Sequence, residues 1–197
     1  MTNNNLTSVA ETVVFEKKIA NLGSFELQPI NLETDLKHIH QWVNQEYAIY
    51  WGMNGFSLEE VKAAYQNILL HSKVYMGYFN SEIAFLLECY NPADDLISKH
   101  YEVEKGDKGM HILVAPPKNK IPNFTWNIFT TIMEFIFSHE EVERIVVEPD
   151  LRNEKIHLLN TKAGFEYQKI IELPHKTAHL AFCTRAQYDN ALQNLPL

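Results

Sequence analysis

Hydrophobic and polar positions are most sharply divided between Gly109 and Phe165. Gly109-Met110-His111-Ile112-Leu113-Val114-Ala115-Pro116 is an apolar run ended by proline, the pattern of a buried strand. A loop from Pro117 to Asn123 leads into Phe124 to Ser138, apolar and long enough for a helix. Arg144-Ile145-Val146-Val147-Glu148 reads as a second buried strand, stopped by Pro149-Asp150. Asn153 to Ala163 reads as a helix closed by Gly164, the residue type favoured just past a helix end. A strand-helix-strand-helix unit of this kind predicts a parallel pair with a right-handed crossover. Two polar residues, His111 and Asp150, stand within or at the end of those strands where apolar residues are expected.

The flanking pattern is more strand-rich. Val13 to Ile19 and Phe25 to Ile30 predict a hairpin, and Thr34 to Val43 a short helix with Leu36, Ile39 and Val43 on one side. Trp42 to Met53 is rich in aromatics without a clear period: either a loop covering the core or a wall of a substrate pocket. Ser57-Leu58-Glu59-Glu60 has the form of a capping box and starts a helix from Leu58 to about His71. Val74 to Phe79 and Glu82 to Tyr90 predict a second hairpin, with Glu88 read as a solvated strand residue ahead of a pocket contact. A short strand is expected around His100 to Val103. Glu166 to Leu173 and Thr177 to Cys183 predict a last hairpin around Pro174-His175-Lys176, and Arg185 to Leu192 a closing helix. The prediction is an α+β domain with one central mixed sheet flanked by helices. Residues 11–197 form that single domain, and the polar residues 1–10 are expected to be a disordered N-terminus.

Composition adds exclusions. A formal net charge of -8 argues against a nucleic-acid partner, since phosphate attraction needs clustered Lys and Arg. It leaves room for a cationic substrate. Cys89 and Cys183, the only cysteines, specify neither a disulfide framework nor a zinc site. The histidines carry no metal-ligand spacing, so no metal is expected. The first residues lack a secretory pattern, and no apolar run approaches the roughly 20 residues that span a bilayer. A cytoplasmic protein with no membrane partner is the expectation.

Asn153-Glu154-Lys155-Ile156-His157-Leu158-Leu159-Asn160-Thr161-Lys162-Ala163-Gly164-Phe165 resembles the last motif of the GNAT acyl-CoA N-acyltransferases. A narrower resemblance runs through His40-Gln41-Trp42-Val43, Tyr50-Trp51-Gly52-Met53, Gly106 to His111, Val147 to Asn153 and Leu173-Pro174-His175-Lys176. Taken in order, these segments resemble the siderophore-biosynthesis acyltransferases of the aerobactin, rhizobactin and alcaligin type. That resemblance implies a GNAT-like fold and acetyl-CoA or another acyl-CoA as cosubstrate. It implies a small N-hydroxylated lysine or diamine as acceptor, acylated to a hydroxamate.

The resemblance also distributes roles. His111 and Asp150 become the catalytic candidates. His111 is a proton acceptor or substrate-orienting group, its structural alternative being a satisfied core histidine. Asp150 accepts a proton, orients His111 or binds the substrate nitrogen, and it can equally cap the helix that follows. Backbone N–H groups near Leu113 and Val114 would face the thioester oxygen. CoA contacts are expected from Asn123, Phe124 and Thr125 at a helix start, although the preceding loop lacks the usual glycines and offers Lys118 and Lys120 instead. Asn153 belongs to the same set, and Asn160 stands where many relatives carry a tyrosine that protonates the leaving thiolate. Trp42, Trp51, Glu88, His175 and Lys176 are the substrate-pocket candidates, with His175 and Lys176 equally readable as a solvated turn. Two rivals share the fold expectation: an aminoglycoside-type amine acetyltransferase, and an acyl-CoA-binding protein without turnover.

Overall fold

The computed structural model describes residues 12–194, so the expected N-terminal tail lies outside the described residues. Eight strands form one sheet in the order β1-β2-β3-β4-β5-β6-β8-β7. They are β1 (Phe15–Ile19), β2 (Gly23–Pro29), β3 (Ser72–Phe79), β4 (Glu82–Tyr90), β5 (Asp107–Val114), β6 (Arg144–Val147), β7 (Glu166–Leu173) and β8 (Lys176–Thr184). Every neighbouring pair is antiparallel except β5 and β6, which are parallel as the sequence pattern predicts. The sheet is mixed and the fold is α+β.

Helices α1 (Leu32–Val43) and α2 (Leu58–Ile68) begin at side-chain caps. Asn31 accepts from the Glu33 N–H, and Ser57 and Glu60 form the expected capping box. Their apolar residues Leu36, Ile39, Val61 and Tyr65 pack with Met76, Leu86 and Leu113 of the sheet. On the opposite face lies α3 (Phe124–Phe137), whose Ile128, Phe129, Ile132 and Ile136 are buried against Phe85, Met110 and Ile145. Tyr188 of α5 (Arg185–Gln193) joins that core, with Ile156 and Leu159 of α4 (Glu154–Lys162) packed against it. The side chains of β5 therefore divide by alternation, His111 and Leu113 toward α1 and α2, Met110 and Ile112 toward α3.

The strand expected around His100 to Val103 does not form. The chain there runs irregularly after a 3-10 turn, Leu96–Lys99. Its apolar residues act as single anchors: Ile97 is fully buried, and the Tyr101 ring packs 5.0 Å from that of Phe182. Without alternation there is no face to lay on a sheet.

One feature of the topology makes a site. β5 and β6 pair only from Asp107 opposite Arg144 to Gly109 opposite Val146, and beyond that they splay. From Pro149 onward the extension of β6 is held by β8 instead, with His179 N–H donating to the Pro149 carbonyl at 3.0 Å and Asp150 bridged to Ala178. The gap opens at the carboxyl ends of two parallel strands, where α/β arrangements present ligand-binding groups.

Candidate active site

His111 lies on that gap. It pairs directly across from Glu88 on β4, so both side chains share one face. His111 Nδ1 is 3.2 Å from Glu88 Oε2, and Nε2 is 2.8 Å from Glu148 Oε1. A carboxylate only accepts, so both ring nitrogens donate and the ring is an imidazolium. Burial alone would lower its pKa; the charge and hydrogen bond of Glu148, then those of Glu88, outweigh burial and raise it to about 10. Glu148 is matched in turn. Burial works against its charge, yet His111, Lys176 and the Tyr90 hydroxyl bring its pKa down to about 2. Tyr90 donates to Glu148 Oε2 at 2.8 Å, and Lys176 Nζ to Oε1 at 3.3 Å.

This geometry corrects several expectations. Glu88 is not solvated: it is 6% exposed, because its strand face is covered by α2 and the turn Glu46–Trp51. Lys176 is no turn residue; it opens β8 and reaches inward to Glu148, while His175 sits exposed at the turn and lines the mouth of the same cavity. Trp42 belongs to the core with Leu36 and Ile39 and lines neither of the two cavities described below, since its helix turns that side to the sheet. Trp51 does line the cavity, edge-on to His111 with ring centroids 6.4 Å apart. Glu148 went unrecognised as a site residue. Its signal was a carboxylate continuing the buried Val146 face of an apolar strand.

Asp150 is engaged elsewhere than at His111. Its Oδ1 accepts from Arg152 N and Nε, both at 2.9 Å, and Oδ2 accepts from Nη2 at 2.7 Å. The Arg152 side-chain bonds outweigh burial and hold the carboxyl at about 2. Asp150 does not cap α4 either; Asn153 does, accepting from the Ile156 N–H.

Two adjoining cavities meet at the splayed strands. The first, about 410 Å³, is lined by Trp51, Glu88, His111, Glu148, Asn160 and Lys176 among others. Asp150 lines it too, at the same strand end. The second, about 970 Å³, includes Val114, Lys120, Asn123, Phe124, Thr125 and Lys155. Leu113, Asn153 and Ile156 line both. Ala115 N–H donates to the Ala84 carbonyl across β4, so by alternation the Leu113 N–H also enters the ladder and the Val114 N–H faces the gap. Of the two backbone donors expected there, only Val114 is free to meet a ligand. At the start of α3 the Phe124 N–H donates to the Ile121 carbonyl at 3.3 Å, but Asn123 gives no side-chain cap, which leaves the next first-turn N–H groups, from Thr125 on, for an anion. Lys120 lines this cavity; Lys118 instead pairs with Glu82. Among the described residues, no group of His, Cys, Asp or Glu could hold a metal ion. Among those residues too, no helix is long and apolar enough to cross a membrane.

Residues 31–173 match the family described as "Acetyltransferase (GNAT) domain". The N-hydroxyputrescine acetyltransferase of Acinetobacter baumannii is 26% identical over 169 residues, 84% of this chain and 80% of that protein. The N(6)-hydroxylysine O-acetyltransferase of Escherichia coli is 25% identical over 179 residues; the match takes in 88% of this chain and only 56% of that protein's length. A crystal structure of an uncharacterized Bacillus halodurans protein superposes with a TM-score of 0.84 at 26% identity, covering 91% of this chain and 94% of that one.

Proposed function

The chain belongs to the acetyltransferase (GNAT) family of acyl-CoA N-acyltransferases, and from that premise we propose that it acylates an N-hydroxylated diamine or lysine to a hydroxamate. The acyl group is taken as acetyl, from acetyl-CoA. The observation that carries the reading is that His111 and Asp150, the two candidate bases at the gap, are both already committed to partners. His111 is an imidazolium near neutral pH, and Asp150 is tied to Arg152. A plain alkylamine, with a pKa of about 10.4 in lysine, reaches such a site protonated and must lose a proton before attacking. An N-hydroxylated amine is less basic and arrives as the free nucleophile, so orientation alone suffices. The four curated relatives, all acyltransferases of hydroxylated amines by name, support the same choice.

In this reading the larger cavity takes the CoA arm. Its phosphates meet the first-turn N–H groups from Thr125 on, beside Asn123 and Phe124, and Lys120 adds charge. The arm passes Asn153 and brings the thioester to the gap, where the Val114 N–H faces the carbonyl oxygen. The amine occupies the smaller cavity against Trp51, with His111, Glu88 and Glu148 behind it and Lys176 keeping Glu148 charged. Its nitrogen attacks the thioester carbon, forming C–N as C–S breaks. The nitrogen, now bearing oxygen and an acyl carbon, is acidic enough to pass its proton to the carboxylates of the cluster. The departing sulfur regains a proton, which balances the transfer. Two buried free thiols, Cys89 and Cys183, fit the reducing cytoplasm in which we place the enzyme.

Thiol release from acetyl-CoA tests the reading, with N-hydroxylated diamines and N-hydroxylysine set against their non-hydroxylated parents. Turnover at pH 7.5 should favour the hydroxylated set by about 100-fold or more. Equal rates with plain amines or aminoglycosides would sink the reading, and CoA binding without turnover on any amine would replace it with a binding role.

A further inference from the structure

α4 buries an amide that the described residues leave half satisfied. Asn160 is 1% exposed and lines the cavity that holds His111. Its Nδ2 donates to the Tyr167 hydroxyl at 3.2 Å, whereas Oδ1 is buried without a hydrogen-bond partner. A buried acceptor left unpaired costs free energy comparable to a lost hydrogen bond, and native structures leave few of them.

The neighbours dictate which way the amide faces. His157 Nε2 is 3.1 Å from the Asp150 carbonyl oxygen, which only accepts, so Nε2 carries the proton. With the proton on Nε2, Nδ1 takes the hydrogen of the Tyr167 hydroxyl, 2.7 Å away. With its hydrogen committed, the Tyr167 oxygen can only accept from Asn160, so Nδ2 faces Tyr167. Turning the amide over would set two lone-pair oxygens against each other. The chain from the Asp150 carbonyl through His157 and Tyr167 thus keeps Oδ1 as the atom offered to an occupant of the cavity. As an amide, Asn160 has no proton to give a leaving thiolate, so an acid role at this position falls away.

We propose that Asn160 Oδ1 accepts a hydrogen bond from the pantetheine amide N–H nearest the thioester, and that Tyr167 and His157 are positioning residues that hold it ready. The inference rests on the acyl-CoA reading above. An orphaned acceptor calls for an N–H or O–H donor, and the CoA arm presents one two methylenes from its sulfur. Asn160 lines the cavity that holds His111, and Ile156, one helical turn before it, lines both cavities, so an arm passing from the larger cavity to the gap would reach Asn160 at its end. The contact would fix the arm's final turn beside the reacting carbon.

Calorimetry with CoA and with an analogue carrying an ester in place of that amide tests the contact without relying on turnover. Wild type should bind the ester analogue about 10-fold more weakly, because the buried acceptor stays unpaired. Asn160→Leu should weaken CoA by a similar factor and bind the two compounds equally. Tyr167→Phe, which frees the amide to turn, should lie between, with the KM for the amine unchanged; a purely structural role for Tyr167 would lower thermal stability without narrowing the discrimination. Because Tyr167→Phe keeps its ring, it tests the inference even if Asn160→Leu fails to fold. Equal binding of both compounds by wild type overturns the inference alone, and binding of neither overturns the acyl-CoA reading with it. If Asn160→Leu keeps the discrimination but loses the preference for hydroxylated amines, Oδ1 serves the amine's hydroxyl and the assignment is wrong.

Discussion

β5 and β6 carry a buried ion cluster at each end, built from similar parts. At the amino ends Arg144 grips Asp107 through Nε at 2.7 Å and Nη2 at 2.9 Å, and the Tyr101 hydroxyl donates to the same carboxylate at 3.0 Å. At the carboxyl ends His111 holds Glu148, and the Tyr90 hydroxyl donates to it. The first pair sits where the strands are hydrogen-bonded partners, with Phe182 4.4 Å over the guanidinium. The second sits where they have parted, and 38% of the His111 side chain stays open to the cavity. The cation differs as well: a guanidinium is always charged, whereas an imidazolium can lose its proton. A closed pair with a permanent charge holds the fold together, and an open pair with a titratable charge is equipped for chemistry.

Removing His111 should break the comparison most. His111→Ala removes the cation between Glu88 and Glu148, leaving Glu148 only Lys176 and the Tyr90 hydroxyl, and kcat with an N-hydroxylated amine should fall by about 10²–10⁴-fold. The same group ties activity to stability through pH. His111 binds its proton more tightly folded than unfolded, so its contribution is complete below its ordinary value of 6.5 and fades as pH rises toward about 10. Glu148 runs the other way: its contribution is complete above 4.5 and fades as pH falls toward about 2. Melting temperature against pH should therefore drop on both flanks in wild type, and His111→Ala should flatten the alkaline one. An unchanged alkaline flank would mean that His111 is not held as the imidazolium.

At the closed end the effect should be on stability instead. Arg144→Met strands the Asp107 carboxylate, 1% of whose side chain is exposed, and should cost roughly 3 kcal/mol in denaturant unfolding. The KM values of the folded enzyme should not move. A loss of substrate affinity without a loss of stability would erase the distinction between the two ends.

Much of this was legible in the sequence, and the limits have physical causes. The parallel unit was readable because β5 and β6 are continuous apolar runs bounded by proline, and α2 announced itself through Ser57 and Glu60. His111 stood out as polar within such a run. Glu88 and Glu148 did not, because a carboxylate near a strand end is ordinarily solvated and only the tertiary cover of α2 and the reach of Tyr90 and Lys176 bury them. The partner of Asp150 was also hidden. Arg152 lies two residues away, but whether its side chain folds back is decided by the turn, not by the spacing.

Gly109 offers a smaller perturbation of the open end. A Cβ there would lie 2.2 Å from the Tyr90 ring, so that ring, 6% exposed, would have to move. Tyr90 would lose its bond to Glu148 and its place 4.9 Å from the His111 ring. Gly109→Ala should cost about 1–3 kcal/mol of stability and about tenfold in kcat. Tyr90→Phe, which removes only the hydroxyl, should cost less in both measurements. If Tyr90→Phe is the more damaging of the two, the hydroxyl matters beyond placement.

The smallest effect belongs to a third carboxylate–cation pair, at the surface. Asp150 and Arg152 have good geometry, but 77% of the Arg152 side chain is exposed and water screens the pair. Arg152→Ala should leave stability nearly unchanged. Its use lies in the kinetics. Without Arg152 the carboxyl should rise from about 2 toward its ordinary 3.8, making Asp150 a better proton acceptor. If the proton leaves through the His111 cluster, kcat should move by no more than about twofold at pH 7.5, since either form of Asp150 is ionised there. A change beyond tenfold in stopped-time thiol release would transfer the proton-accepting role to Asp150, and with it the meaning of the open cluster, which would then hold the amine without handling its proton.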